Sequence, residues 1–506
     1  MKLISKYRKE IFFGLLSVFL YFLFRLLFLD NLPIFTDEAI YVRWAQIALH
    51  DPTWRLISLT DGKQPLLIWF IVLFMKLIED PLIAARVVSV VAGFFTMVGL
   101  FLLSLELFKN RKIAYLSSFL YIFFPFAQVY DRMALMDGML GAFSIWALFL
   151  AVLLVRNLSL GKAYTLGFLI GGAILTKSSG AFSVYLTPLT LLIHKFEKDQ
   201  NKNLNFLIRW LTLIVFAYIL SQGFYAVLRL SPFFQIISEK NLIFVYSFKE
   251  WIDNPLISFQ GNLKGLLGWV FVYLTPSYII LLFLAFWSKN FFREKIMLFF
   301  YFSVPFLVLC FFGKVIFPRF IYFMALSLIP VAAYGLNFLL SKTSQLKDYA
   351  LYFQLGLLFL VFSYPAKVSL DFALNPTIAK IPQADINQYI NGWSAGWGIK
   401  RSTEFFKNIS KNNEIFVATQ GTFGLLPHGL EIYLQKYPKV HIKGYWPIGD
   451  YLPEEVLDKA KKMPTYFVYY QPNNSKVLNY SSLSLEFKER MGRSNYFFSV
   501  YKVNAK

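Results

Sequence analysis

Long apolar runs separated by short polar connections dominate the chain up to about residue 365. The first run, Ile11 to Leu29, follows the basic segment MKLISKYRKE. It is too long for a removable leader and lacks a small-residue cleavage site, so it reads as a retained signal anchor with the N-terminus inside. Further runs able to cross about 30 Å of hydrocarbon lie near 84–107, 113–130, 138–155, 162–176, 178–194, 206–228, 265–287, 296–312, 319–340 and 349–365. The run from Pro65 to Glu79 differs, because Lys76 interrupts it after only about a dozen apolar residues, which predicts an interfacial or re-entrant helix.

Parity supports that choice. If Pro65 to Glu79 does not cross, the N-terminus, Lys109 to Lys112, Arg156 to Lys162, HKFEKDQNKN, SKNFFREK and SKTSQLK all share one face. Each is short and basic, as connections on the cytoplasmic side are. The other face receives Asp30 to Leu82, DRMALMD, Lys177 with its Ser-Ser-Gly, Arg229 to Lys264, GKVIFPR and everything after about residue 366. An odd number of spans then places the C-terminal portion opposite the N-terminus.

From about Ala366 the pattern becomes that of a globular domain. NEIFVATQG, KVHIKGYW and PTYFVYYQ read as buried strands, and LPEEVLDKAKKM as a helix with acids in its first turn and lysines in its last. The expected fold is a polytopic α-helical membrane protein of about eleven transmembrane helices, with interfacial helices in the first outer loop. A small extracytoplasmic α/β domain follows, dividing the chain into 1–365 and 366–506. The expected location is the plasma membrane, N-terminus cytoplasmic.

Composition agrees. Of 506 residues, 57% are hydrophobic and 16% charged, which excludes a chain of soluble domains. The single cysteine, Cys310, allows no internal disulfide. The net charge of +21 is explained first by cations flanking spans and by anionic lipid, so no nucleic acid partner is invoked.

Polar residues recur at the outer face in four separated places. Asp37 and Glu38 open an amphipathic helix after the first span, and there Thr36 or Asp37 could simply cap it. Lys63 and Gln64 precede Pro65, in what is otherwise an ordinary turn and helix start. Asp131, Arg132 and Asp137 occupy a short loop, where a local ion pair would satisfy them. Lys314 and Arg319 stand in an apolar region, where snorkelling is the bland alternative. Together these segments supply carboxylates able to accept a proton and cations able to hold a phosphate. Sugar transfer from a lipid phosphate needs both: the acceptor hydroxyl loses a proton, and the departing phosphate gains charge.

These residues resemble the landmarks of the GT-C membrane glycosyltransferases, in particular the protein O-mannosyltransferase and aminoarabinose transferase group of bacteria. The acidic pair Asp37-Glu38 is similar to that group's motif in the first outer loop, KQPLL from Lys63 to its His-Pro-Pro-Leu stretch, and Arg86 to a recurring arginine. Arg132 followed by Asp137, GAILTK ending at Lys177, and PRFIYFMALSLIP around Arg319 resemble later landmarks. The resemblance implies a polyprenyl-phosphate-linked sugar donor, an extracytoplasmic site and inverting transfer to a hydroxyl of a lipid, glycan or protein. It implies Asp37 as general base, Glu38 as its neighbour, and Asp137 as a second acid orienting the acceptor or a metal. Lys63, Arg132, Lys314 and Arg319 are its candidates for the donor phosphate, and Gln64, Asp131 and Lys177 join the substrate-binding set.

Lys63-Gln64 departs from the group's His-Pro and removes a metal ligand. No cofactor is required; a divalent ion of Mg²⁺ or Mn²⁺ type on Asp37, Glu38 or Asp137 stays open. Trp393 and Trp397 among glycines suit either a loop over the site or an interfacial anchor. The competing functions are a polytopic transporter or lipid flippase, which would spread its ionisable groups toward the bilayer midplane, and a non-catalytic scaffold.

Overall fold

The computed structural model describes residues 8–449, 451–471 and 482–504. The first seven residues of the basic leader segment therefore lie outside the described part. Among the described residues, six helices are long and apolar enough to cross a membrane: Pro81–Phe108, Met136–Arg156, Gln200–Leu230, Phe259–Trp287, Phe292–Phe312 and Ala350–Leu374. The pair Arg319–Ala325 and Leu328–Leu346, bent by 52°, makes a seventh when counted as one span. The chain is a multi-pass membrane protein. The four remaining apolar stretches are also helical but shorter, interrupted or more charged: Arg8–Leu26, Arg111–Phe123 with Pro125–Tyr130, Leu160–Thr176 and Ser178–Ile193. Length and apolarity alone thus count six or seven spans where the sequence pattern led to eleven.

The Pro65 to Glu79 segment forms a helix only over Leu66–Phe74. Nine residues at about 1.5 Å each reach less than half the hydrocarbon thickness. Thr36–His50 before it is the expected amphipathic helix, its start held by the Glu38 carboxylate accepting from the Phe35 backbone N–H at 3.0 Å.

Helix packing relies on close approach at small residues. Gly335, in Leu328–Thr343, faces the Phe259–Trp287 helix so closely that a Cβ would collide with the Leu281 carbonyl. Gly335→Val is expected to cost about 1–3 kcal/mol by overpacking, read as a lower unfolding temperature of the detergent-solubilised protein; an unchanged temperature would show that the two helices can part.

After the Ala350–Leu374 helix the chain runs through residues 383–396 into a five-stranded sheet ordered β4-β3-β5-β7-β6. Strands β3 (Ile415–Gln420), β4 (Val440–Tyr445) and β5 (Thr465–Gln471) pair in parallel, as the sequence pattern and the Glu454–Ala460 helix between them anticipate. The antiparallel strands β6 (Leu483–Arg490) and β7 (Phe497–Val503) are additions that the sequence reading missed. Their alternation is diluted by charges: β6 is LSLEFKER, an edge strand with only partial burial.

This domain is fastened to the helix that carries Asp37. Strand β1 (Ile34–Phe35) pairs antiparallel with β2 (Ala395–Gly396), and the Thr36 N–H donates to the Ser394 carbonyl at 3.0 Å. The Leu425–Leu434 helix packs on Thr36–His50, where Gln46 Nε2 donates to the Ile432 carbonyl at 2.8 Å and Arg43 pairs with Glu431 at 3.0 Å. Trp393 and Trp397 flank β2: Trp397 Nε1 donates to the Ile390 carbonyl at 2.7 Å, whereas Trp393 is 60% exposed. The glycine-rich stretch between them is therefore partly a strand in a tether.

Candidate functional site

A cavity of about 330 Å³ opens where several of these elements end. Lys63 and Gln64 enter from the loop before Leu66–Phe74, Asp137 from the first turn of Met136–Arg156, and Lys177 from just beyond Leu160–Thr176. Arg319 enters from the start of the bent pair, and phenylalanines 182, 244, 320 and 323 form apolar wall. The charges thus stand at helix ends, where the chain leaves its apolar segments.

Around the cavity, opposite charges are matched across elements, Asp37 standing outside the lining itself. Arg319 Nη1 lies 2.7 Å from Asp37 Oδ2, and Lys177 Nζ lies 2.6 Å from Asp137 Oδ1. Lys63 sits over the Phe244 ring at 5.8 Å, with no carboxylate among the described residues at bonding distance. Burial draws Lys63 below the usual lysine range, with Asp37 opposing that shift. Burial alone would raise the Asp37 carboxyl, but Arg319 and then Lys63 hold it below the usual carboxylate range, so it stays ionised well into mild acid. Gln64 donates to Ser178 Oγ at 2.7 Å, joining the two segments that bring Lys63 and Lys177.

Two lining residues were not singled out in the sequence. Lys240, from Ile236–Phe244, pairs with Asp61 at 2.5 Å and so ties that helix to the Lys63 loop. Tyr41 lies one helical turn after Asp37 and reaches the same cavity, a placement that the four-residue spacing does signal.

Five expected site residues lie outside the lining of this cavity: Asp37, which meets it only through Arg319, and four others. Glu38, fully buried, forms a two-pronged pair with Arg86 at 2.9 and 2.7 Å and also accepts from the Ala134 N–H at 2.8 Å. Its oxygens face structural donors. Asp131 accepts from Arg25 at 3.0 Å and from Tyr121 and Tyr322, each at 2.8 Å, with no solvent exposure. Arg132 donates to the carbonyls of Phe24, Arg25 and Phe28 and stitches the end of the first helix to the loop. Lys314 reaches Glu250 at 2.7 Å and the Leu242 carbonyl at 3.3 Å, beside the cavity but outside its lining. The local ion pair expected among Asp131, Arg132 and Asp137 does not form; each finds its partner on another element.

Among the described residues no group of three His, Cys, Asp or Glu side chains converges. Asp37, Glu38 and Asp137 each already face a cation at 2.6–2.9 Å.

Residues 62–221 match the family model described as dolichyl-phosphate-mannose-protein mannosyltransferase. That stretch holds Lys63, Gln64, Asp131, Arg132, Asp137 and Lys177, and excludes Asp37 and Arg319. No curated protein sequence matches the chain. Among solved structures, ArnT from Cupriavidus metallidurans bound to undecaprenyl phosphate superposes with a TM-score of 0.61 at 13% identity, over 98% of each chain. Its apo state gives 0.58 at 14%, again over 98% of each. The arabinofuranosyltransferase AftD from Mycobacteria gives 0.50 at 13%, over 99% of this chain and 42% of that one. Identities this low speak for the fold alone. The chain thus has an ArnT-like fold over its length and a mannosyltransferase-family match over 62–221, in line with the resemblance to the protein O-mannosyltransferase and aminoarabinose transferase group.

Proposed function

We propose that this protein is a membrane glycosyltransferase that moves a sugar from a polyprenyl-phosphate-linked donor to a hydroxyl acceptor, with inversion, at the outer face. The observation that carries this reading is the cavity lined by Asp137, Lys63, Lys177, Lys240 and Arg319, with Asp37 held on Arg319 just outside the lining. Cations outnumber carboxylates there, which favours an anionic ligand. A second cavity of about 410 Å³, walled by Phe70, Phe74, Val88, Phe95, Trp146 and Leu169, is apolar and suits a prenyl chain.

In this reading the acceptor oxygen attacks the sugar C1 as the bond from C1 to phosphate oxygen breaks. The acceptor proton passes to Asp37, and the bonding electrons leave with the polyprenyl phosphate. Lys63, Lys177 and Arg319 offset the charge gained by that phosphate. Arg319 has a second part. While it grips Asp37 it keeps that carboxylate a weak base; a phosphate drawing on Arg319 loosens the grip and makes Asp37 a better proton acceptor. Asp137, held by Lys177, orients the acceptor. Glu38, Asp131 and Arg132 act as positioning residues.

The eleven-span layout, with 1–365 as membrane domain and 366–506 outside, is the topology that goes with this function. The helix that begins near Asp137 ends at Arg156, and Arg156 and Lys109 both pair with Glu106 at the end remote from the cavity. That remote basic edge supports a cytoplasmic assignment for it. The alternative of a transporter or lipid flippase is disfavoured because the cavity's charges gather at helix ends instead of along a central path.

The test is incubation of purified protein with a panel of undecaprenyl-phosphate sugars, reading release of the carrier. Transfer from at least one donor is expected; none from any, with the carrier phosphate not bound, would overturn the reading. Lys63→Ala is expected to weaken undecaprenyl phosphate binding about tenfold, the order of one unit charge lost at a partly buried site, measured by titration in nanodiscs.

A further inference from the structure

Residues 383–396 form a strap between the last long helix and β2, and the strap buries the carboxylate of Asp385. Asp385 is fully buried. One of its oxygens, Oδ2, accepts from Tyr130 at 2.7 Å and from Tyr273, while Oδ1 has no hydrogen-bond partner among the described residues. Arg319 Nε is likewise buried without a partner there, as is the Tyr389 hydroxyl. Tyr389, four residues along the strap, packs edge-on against Phe35 at 4.8 Å, two residues before Asp37. The Arg319 guanidinium lies 5.9 Å from the same Phe35 ring, so the strap stands beside the Arg319–Asp37 pair from a position outside the cavity lining.

We propose that Asp385 is a positioning residue for Arg319, its charge setting how much of the guanidinium's field reaches a phosphate in the cavity. This rests on the reading of the cavity as a donor-phosphate site. The groups facing Asp385 are the phenols of Tyr130, Tyr273 and Tyr389, the Arg319 guanidinium and the Asp137 carboxylate. Burial is the dominant influence on the Asp385 carboxyl and pushes it up to about 7, against the two phenols and Arg319. Below that pH Asp385 is neutral and the carboxylates acting on Arg319 are Asp37 and, more weakly, Asp137. Above it, a further carboxylate draws on the same guanidinium, and the field left for a phosphate falls.

The experiment measures undecaprenyl phosphate binding to the full chain in nanodiscs, for wild type and Asp385→Asn, between about pH 6 and pH 8. Comparing the two proteins cancels the ionisation of the phosphate itself. At the acid end their affinities are expected to agree; at the alkaline end Asp385→Asn is expected to bind about fivefold tighter, the scale of one partly screened charge. Tyr273→Phe removes a phenol that favours the charged carboxylate, so the midpoint of the wild-type decline is expected to move to higher pH. That variant keeps Asp385 and carries the test if the asparagine protein does not fold. A pH-independent affinity ratio, or an unmoved midpoint in Tyr273→Phe, would overturn the inference while leaving the donor site intact. Absence of binding by wild type at every pH would overturn both.

Discussion

Asp37→Asn should lower sugar transfer by about 100- to 10,000-fold, the range that a positioned general base supplies, while the protein remains folded and still binds undecaprenyl phosphate. The reason lies in what Asp37 touches. Its carboxylate meets Arg319, a cavity-lining residue, at 2.7 Å, and its side chain is still 18% exposed. Asparagine preserves the shape and can still accept from Arg319, but it cannot take up the acceptor's proton. It also leaves the Arg319 charge less neutralised, so carrier binding should tighten as turnover disappears. Measured together, a lost rate with equal or stronger carrier affinity separates a base from a binding group. Wild-type turnover on a donor shown to be used would remove Asp37 from the mechanism.

The opposite outcome is expected one residue and one helix away. Arg86→Leu should destabilise the protein by about 3–5 kcal/mol, because removing one partner of a buried pair strands the other. Arg86 bonds both oxygens of Glu38 and also the carbonyls of Leu29, Leu32 and Pro33, and both side chains are wholly buried. Its loss would leave a buried carboxylate and three carbonyls short of donors at the point where the first helix turns toward Asp37. Thermal unfolding in detergent should show a large fall in midpoint, or no folded protein at all. Arg86→Lys should recover only part of it, since an ammonium cannot make the two-pronged contact. A variant as stable as wild type would mean that Glu38 is not held as described. Adjacent acids would then differ less than their surroundings indicate.

That difference between Asp37 and Glu38 marks where sequence reading reached its limit. The helical character of the apolar runs, the short Leu66–Phe74 helix and three of the five sheet strands were legible because apolar runs and alternation are local signals; the number of runs that cross was not. The order of polar landmarks was legible too, and five of the expected residues line one cavity: Lys63, Gln64, Asp137, Lys177 and Arg319. What local pattern does not carry is partner choice across the fold. Asp131 finds Arg25, which sits within the first apolar run, and Arg132 finds backbone carbonyls at that run's end. Nothing in RMALMD distinguishes those fates from that of Asp137, because helix direction decides which side chain faces the cavity. Asp385 lies in a short polar stretch with no periodic signal, and only the β1–β2 pairing, bridging more than 350 residues, explains why its strap sits beside Arg319. Long-range pairing of this kind leaves little trace in either strand, each being two residues long.

The most direct measurement is an experimental structure of the full chain with undecaprenyl phosphate in a lipid nanodisc. The phosphate is expected in the cavity, within hydrogen-bond reach of Lys63 and Arg319, with the Arg319–Asp37 contact lengthened from its 2.7 Å. A phosphate held elsewhere, or one seated in the cavity while Asp37 lies too far away to meet an incoming acceptor, would contradict the convergence on which the proposed reaction depends.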